Sequence, residues 1–160
     1  MTDRVDPQVR AEVTDLLVRY ASGIDGRDWT MLRSCFTDDC DADYGPIGHW
    51  RSADDITEWM RATHEPLGHT MHRITNQAVS AVAGDTDRVT ARSYVDALVL
   101  FPGNQDGTRA VGLYDDELVR TSGGWRIARR RFTSVLLQMI SDGTVIDLGA
   151  ALDSPPGGRS

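Results

Sequence analysis

The residues of this chain that could carry acid–base chemistry are histidines, aspartates and a few tyrosines, with His72, Asp25 and Tyr20 among them. A neutral imidazole can act as a general base near neutral pH. A carboxylate can orient such a base, and a phenol can hydrogen-bond a carbonyl or a departing hydroxyl group. In one pocket, these groups would suit proton transfer on an organic substrate.

Other site types receive no support. His69 and His72 form an H-x-x-H pair, but on a strand their rings would point to opposite faces, so no metal site and no cofactor are predicted. The sequence has no glycine-rich nucleotide loop and no G-x-S-x-G turn.

The composition and net charge of the chain limit the classes of partner that it can bind. The chain has 160 residues and a net charge of −7, and all 17 of its basic residues are arginine. An acidic chain repels phosphate backbones, so no nucleic-acid partner is expected. The first ten residues hold no apolar segment, so no signal peptide is expected, and the sequence has no apolar run of the roughly 18 residues needed for a membrane span. We therefore expect a cytoplasmic protein with a small-molecule partner and no membrane contact.

The first third of the sequence has the residue pattern of helices. Asp6 and Pro7 predict a helix start, followed by an apolar stripe that includes Tyr20, with Asp25 in the exit turn. A second helix is predicted from Asp28, with Phe36 on its inner face, and a short strand over 40–44. The third helix is predicted to begin at Ser52, to end before Pro66 and to turn Trp59 inward.

From His69 onward the pattern is that of strands. Apolar and polar residues alternate between glycine-containing turns, which predicts four antiparallel strands over about 69–82, 88–101, 108–121 and 125–140. Helices followed by a meander of long strands indicate an α+β fold, with a curved sheet packed on three helices. We expect one domain over 1–152 and a disordered tail over 153–160.

This order of elements resembles the nuclear transport factor 2-like superfamily, a cone-shaped α+β barrel, and within it the SnoaL-like group of small lyases and cyclases. The resemblance covers about 12–141 and is carried by LLVRYASGIDGRDWTMLRSCFTDDCDADYG, MHRITN and VGLYDDELVRTSGGWRIARRR. The fold hosts many reactions and some non-enzymes, so function has to come from the site.

The resemblance implies a catalytic Asp–His pair. Asp25 and His72 match, in kind and place, the dyads of the bile-acid 7α-dehydratase and hexachlorocyclohexane dehydrochlorinase families. Asp25 would accept a hydrogen bond from one ring nitrogen of His72 and leave the other as the general base. Tyr20 matches the dehydratase family, whereas a core tyrosine is the alternative.

A basic run on the last strand supplies a candidate anion-binding residue. Strand alternation puts Arg129 and Arg131 on one face and Arg126 and Arg130 on the other, but a bulge could shift this register. The dehydrochlorinase resemblance selects Arg130 as the residue that would stabilise a leaving anion or enolate.

Four further residues are candidate substrate-binding groups: Asp43, Tyr44, Trp59 and Asp96. The segment CDADYG resembles the segment of ketosteroid isomerase that carries its catalytic carboxylate, which would make Asp43 a proton shuttle; a turn aspartate is the alternative. Asp96 matches a pocket aspartate of the bile-acid dehydratase family, and a solvent-facing charge is the alternative.

The leading hypothesis is a cofactor-free lyase, dehydratase-like, for a hydrophobic cyclic, polyketide- or steroid-like molecule. The alternatives are an isomerase or aldol cyclase that uses Asp43 and Tyr20, a ligand-binding module without turnover, and an oxygenase small subunit. The similar dehydratase families imply a homo-oligomer, with a trimer favoured over a dimer.

Overall fold

Each of the three helices begins at a side-chain cap. The computed structural model describes residues 5–141 of the chain. Asp6 accepts a hydrogen bond from the backbone N–H of Gln8, and Asp28 and Ser52 cap the next two helices in the same way. The helices are α1 (Pro7–Asp25), α2 (Trp29–Arg33) and α3 (Ala53–His64), with a 3₁₀ helix at Gly45–Ile47. None of those described is long and apolar enough to cross a membrane.

Six strands form one curled sheet that does not close into a barrel. They are β1 (Phe36–Asp43), β2 (His49–Trp50), β3 (Thr70–Val82), β4 (Asp85–Leu100), β5 (Gly107–Thr121) and β6 (Gly124–Ile140), in the spatial order β2-β1-β6-β5-β4-β3. All neighbours are antiparallel except β1 and β6. The predicted α+β fold, with three helices on a curved and mostly antiparallel sheet, is confirmed.

The core lies between the helices and the concave face of the sheet. Helix α1 buries Val13, Leu16, Leu17, Tyr20 and Ile24 along one stripe, and each of these residues is at most 1% exposed. These side chains join inward-facing strand residues such as Val95, Leu118 and Ile127 in a single cluster. The stripe therefore carries Tyr20 into the interior and brings the end of α1 against β3.

The second helix is shorter than predicted. Phe36 begins β1 instead of extending α2, because it pairs with Ile127 of β6, whose N–H donates to the Cys35 carbonyl. Asp25 is the last residue of α1 and not part of the exit turn. The tail predicted over 153–160 lies outside the described residues.

A bulge in β6 decides which arginine faces inward. Glu117 lies opposite Arg129 and Leu118 opposite Ile127, so the residue between them, Ala128, has no partner across the ladder. The extra residue reverses the alternation: Ile127 and Arg130 are both buried. Simple alternation had predicted that Arg126 and Arg130 lie on the same face of the sheet. Because of the bulge, they lie on opposite faces.

Candidate active site

A small apolar cavity of about 110 Å³ opens between α1, α3 and the concave face of the sheet. Its polar lining consists of Tyr20, Tyr44, Tyr114, His64 and His72. Most of the remaining wall is hydrophobic and includes Ile47, Trp59, Met60, Val95, Ala97 and Phe132. Such a cavity, apolar with a few convergent polar groups, is the usual form of a small-molecule site.

The structure brings Asp25 against His72, which lines this cavity. His72 points inward from β3, and its Nδ1 lies 2.7 Å from Asp25 Oδ1. The backbone N–H of His72 donates to the other carboxylate oxygen, also at 2.7 Å. The His72 side chain is only 8% exposed and that of Asp25 24%. Both carboxylate oxygens therefore hold one residue of β3, which fixes the position of the imidazole.

The charge state of Asp25 sets the tautomer of His72. Burial alone would raise the pKa of Asp25, but hydrogen bonds from the ring and backbone of His72 and from Thr70 outweigh burial and lower it. Asp25 is thus ionised at neutral pH and can only accept. The proton of a neutral His72 ring must lie on Nδ1, which leaves Nε2 as a free acceptor on the cavity side.

A second set of hydrogen bonds orients the carboxylate. The Thr70 hydroxyl donates to Asp25 Oδ1 at 3.0 Å, and Arg27 Nη1 donates to that hydroxyl at 2.7 Å. Arg27 also donates to the carbonyls of Ile24 and Gly68. The Arg27 side chain thereby ties the end of α1 to the start of β3. Sequence reasoning did not identify Arg27 or Thr70 as supports of the pair.

Three tyrosine hydroxyl groups meet at the cavity. The Tyr20 oxygen lies 3.0 Å from that of Tyr44 and 3.3 Å from that of Tyr114. Burial raises the pKa of each of these phenols, so all three are protonated at neutral pH. Two hydrogen bonds use two of the three protons. One O–H therefore remains able to donate to a ligand.

Arg130 lies behind the tyrosines and does not line the cavity. Its guanidinium is fully buried and binds Asp116 through two 2.7 Å hydrogen bonds. Its Cζ stacks 4.2 Å from the Tyr20 ring centroid and 3.9 Å from that of Tyr114. Burial opposes its charge, but the Asp116 carboxylate holds the pKa of Arg130 well above its ordinary value. The expected direct contact between Arg130 and a leaving anion is thus corrected, because the tyrosines stand between them.

Asp96 and Asp43 also lie away from the cavity. Asp96 points to the outer face of the sheet, where Arg109 and Arg73 bind it and lower its pKa to about 2. Its neighbours Val95 and Ala97 face inward instead. Asp43 accepts the backbone N–H of Gly45 at 2.9 Å and so shapes the turn after β1. The placement of these two aspartates as pocket groups is therefore corrected.

Tyr44 and Trp59 do line the cavity, as the sequence analysis placed them. A further histidine, His64, was missed. It is the last residue of α3 and is 9% exposed. Helical spacing could have revealed it, since His64 follows Met60 by four residues on the buried stripe of α3.

The sequence and the fold of this chain are similar to those of known proteins. Residues 8–131 match the SnoaL-like domain family. An uncharacterized protein of Mycobacterium tuberculosis is 32% identical over 133 residues, which cover 82% of this chain and 88% of that protein. The crystal structure of the Kfla4162 protein from Kribbella flavida is 29% identical, with a TM-score of 0.75 and coverage of 82% of this chain and 93% of that one.

A lyase-type enzyme shares the fold. The structure of a type 2 hexachlorocyclohexane dehydrochlorinase superposes with a TM-score of 0.77 over 89% of this chain and 95% of its own. The two sequences are 22% identical. At that identity the likeness establishes the common fold and leaves the reaction to be argued from the site.

Proposed function

Because this chain belongs to the SnoaL-like domain family, we propose that it is a cofactor-free lyase of the dehydratase type that acts on a small, neutral, cyclic hydroxy carbonyl compound. The observation that carries the proposal is the Asp25–His72 hydrogen bond, which leaves a free imidazole nitrogen at the same apolar cavity as the tyrosine hydroxyl groups. A base and a hydrogen-bond donor on one cavity are the two elements that a β-elimination next to a carbonyl needs.

The proposed reaction uses His72 twice. Its Nε2 takes the proton from the carbon next to the carbonyl, and Asp25 stabilises the imidazolium that forms. The free tyrosine O–H donates to the carbonyl oxygen, where the negative charge of the enolate develops. The C–O bond to the hydroxyl group then breaks, and the imidazolium returns the proton to it. The products are water and an unsaturated carbonyl compound, and His72 is neutral again.

Arg130 supports this chemistry through the tyrosines. A cation stacked on the Tyr20 and Tyr114 rings stabilises the partial negative charge that a phenol oxygen gains as it shares its proton, which makes the O–H a stronger donor to a developing oxyanion. We therefore assign Arg130 a positioning role and no contact with substrate.

The cavity supports a substrate with a small, uncharged reacting part. Its volume of about 110 Å³ lies well below the roughly 300 Å³ of a site for a drug-sized ligand. No arginine is among its lining residues within the described part of the chain, so a carboxylate or phosphate would lack a partner there. For a steroid- or polyketide-like compound, we expect one ring to enter while the rest stays at the mouth, where Ile47 is 47% exposed.

The alternative of an isomerase would need Asp43 as its base, but the Asp43 carboxylate is held by the turn after β1 and lies away from the cavity.

The following experiment distinguishes the proposed lyase from a binding module without turnover. A panel of neutral cyclic β-hydroxy ketones is incubated with the protein, and formation of the conjugated enone is followed by ultraviolet absorbance. We expect turnover that falls about 10²–10⁴-fold in His72→Gln.

The chain offers a matched control for this experiment. His49 also pairs with an aspartate, Asp41, but it lies on the surface and away from the cavity. His49→Gln should leave the turnover unchanged, as should Asp96→Asn. Turnover that survives in His72→Gln at the wild-type rate would refute the proposed mechanism.

A further inference from the structure

The buried histidine at the end of α3 has no role in the reaction proposed above. Nδ1 of His64 lies 3.0 Å from the Met60 carbonyl oxygen of its own helix and 3.0 Å from Oγ1 of Thr63. Its ring lines the cavity beside His72, with the two ring centroids 6.2 Å apart. The cavity is therefore bordered by two imidazoles, of which the Asp25–His72 pair explains one.

The hydrogen bonds of His64 fix where its proton lies. A carbonyl oxygen can only accept, so Nδ1 must be the donor to Met60. The Thr63 hydroxyl directs its own proton to the Trp59 carbonyl at 2.8 Å and so also faces Nδ1 as an acceptor. With Nδ1 protonated, a neutral ring carries an unprotonated Nε2.

That Nε2 has no donor among residues 5–141. Burial, with a smaller effect from the neighbouring His72 charge, lowers the pKa of His64 to about 4, so the ring stays neutral at physiological pH. Nε2 is therefore an acceptor that no donor of the described residues serves, on a ring that lines the cavity, and a ligand in the cavity can donate a hydrogen bond to it.

We propose that His64 is a substrate-binding residue whose Nε2 accepts a hydrogen bond from a hydroxyl group of the ligand. This hydroxyl differs from the leaving group, because a leaving hydroxyl must gain a proton and an acceptor cannot supply one. The ligand class is thus a neutral ring that bears a hydroxyl donor in addition to the reacting carbons. The inference deepens the proposed function, but its test measures binding and needs no turnover.

Three one-ring probes separate the contributions. Phenol donates and accepts hydrogen bonds, anisole only accepts, and toluene does neither. The tyrosine O–H can serve phenol and anisole alike, whereas an acceptor can serve phenol alone. We expect NMR titrations of the wild type to give a Kd for phenol about 3- to 10-fold below that for anisole.

Variants assign this preference to His64. His64→Leu should abolish the preference for phenol over anisole while anisole binding persists, which also reports that the cavity is intact. His64→Gln, which keeps an acceptor oxygen, should retain part of the preference. A phenol preference unchanged in His64→Leu would overturn the inference, and its loss in His72→Leu alone would assign the acceptor to His72 instead.

A measurement on the wild type keeps the inference testable if the variants do not fold. Long-range ¹H–¹⁵N spectra should show His64 protonated on Nδ1, with the Nε2 resonance shifting when phenol binds and not when toluene binds. A proton on Nε2 in the free protein would refute the inference. Dehydration that depends on His72 without any phenol effect at His64 would retain the proposed function and overturn only this inference.

Discussion

The buried pair of Arg130 and Asp116 should be one of the most sensitive points of the fold to mutation. Both side chains are 0% exposed, and two 2.7 Å charge-assisted hydrogen bonds join them. In Asp116→Asn the guanidinium would stay buried without its counter-charge. Removing one partner of such a pair costs about 3–5 kcal/mol of the free energy of unfolding. That is a large share of the ~5–15 kcal/mol that stabilises a typical domain.

The adjacent residue provides a geometric control. Asp115 binds Arg92 through two hydrogen bonds of 2.6 and 3.0 Å, almost the same arrangement, but this pair is exposed on the outer face of the sheet. Solvent screens an exposed pair, so Asp115→Asn should change stability little. The two variants remove the same charge from neighbouring positions and differ in burial.

Urea unfolding followed by tryptophan fluorescence measures the difference. With a slope of about 2 kcal/mol per molar urea, Asp116→Asn should lower the midpoint by about 1.5–2.5 M. Combining Asp116→Leu with Arg130→Met should restore much of this loss, because an apolar pair leaves no buried charge. Equal midpoints for Asp115→Asn and Asp116→Asn would refute the reasoning.

Two other predictions concern pH and assembly. The pKa of His64 is about 4 in the folded state and about 6.5 in the unfolded chain, so the unfolded chain binds the proton first as the pH falls. The free energy of unfolding should therefore fall by up to about 3 kcal/mol between pH 6.5 and about 4. Urea titrations should show a weaker dependence of this free energy on pH in His64→Gln, and an unchanged dependence would contradict the prediction. We also propose that the protein is a homo-oligomer, with a trimer favoured, because the apolar side chains of Val135, Leu137 and Met139 are each more than 60% exposed. Light scattering should show self-association of the wild type that weakens in Leu137→Glu. A monomeric wild type would contradict this prediction.

Local signals in the sequence predicted most of the fold. Asp6, Asp28 and Ser52 each cap a helix as expected, because a cap depends on residues only a few positions apart. The beginning of β1 was missed, because Phe36 pairs with Ile127, a residue far along the chain. A long-range pairing of this kind leaves no trace in the local pattern.

The site was predicted unevenly for related reasons. The strand alternation around Asp96 was correct, with Tyr94 on the same face, but alternation does not tell which face of a strand the helices cover. The inward turn of Arg130 depends on the bulge at Ala128, which has no distinctive sequence signal. Helical spacing could predict that His64 lies on the buried face of α3, but without the fold nothing distinguished it from an ordinary buried residue.

The parallel pairing of β1 with β6 also bears on the order of folding. The first and last thirds of the chain meet there, since Phe36 lies opposite Ile127 and Asp43 opposite Arg131. The antiparallel strands β3 to β6 connect through short turns and close small loops, whereas β1 must wait until β6 offers an edge. Tyr44 directly follows β1, so the tyrosine cluster assembles only after the last strand is in place. A chain still under synthesis therefore cannot complete the cavity until β6 has been added.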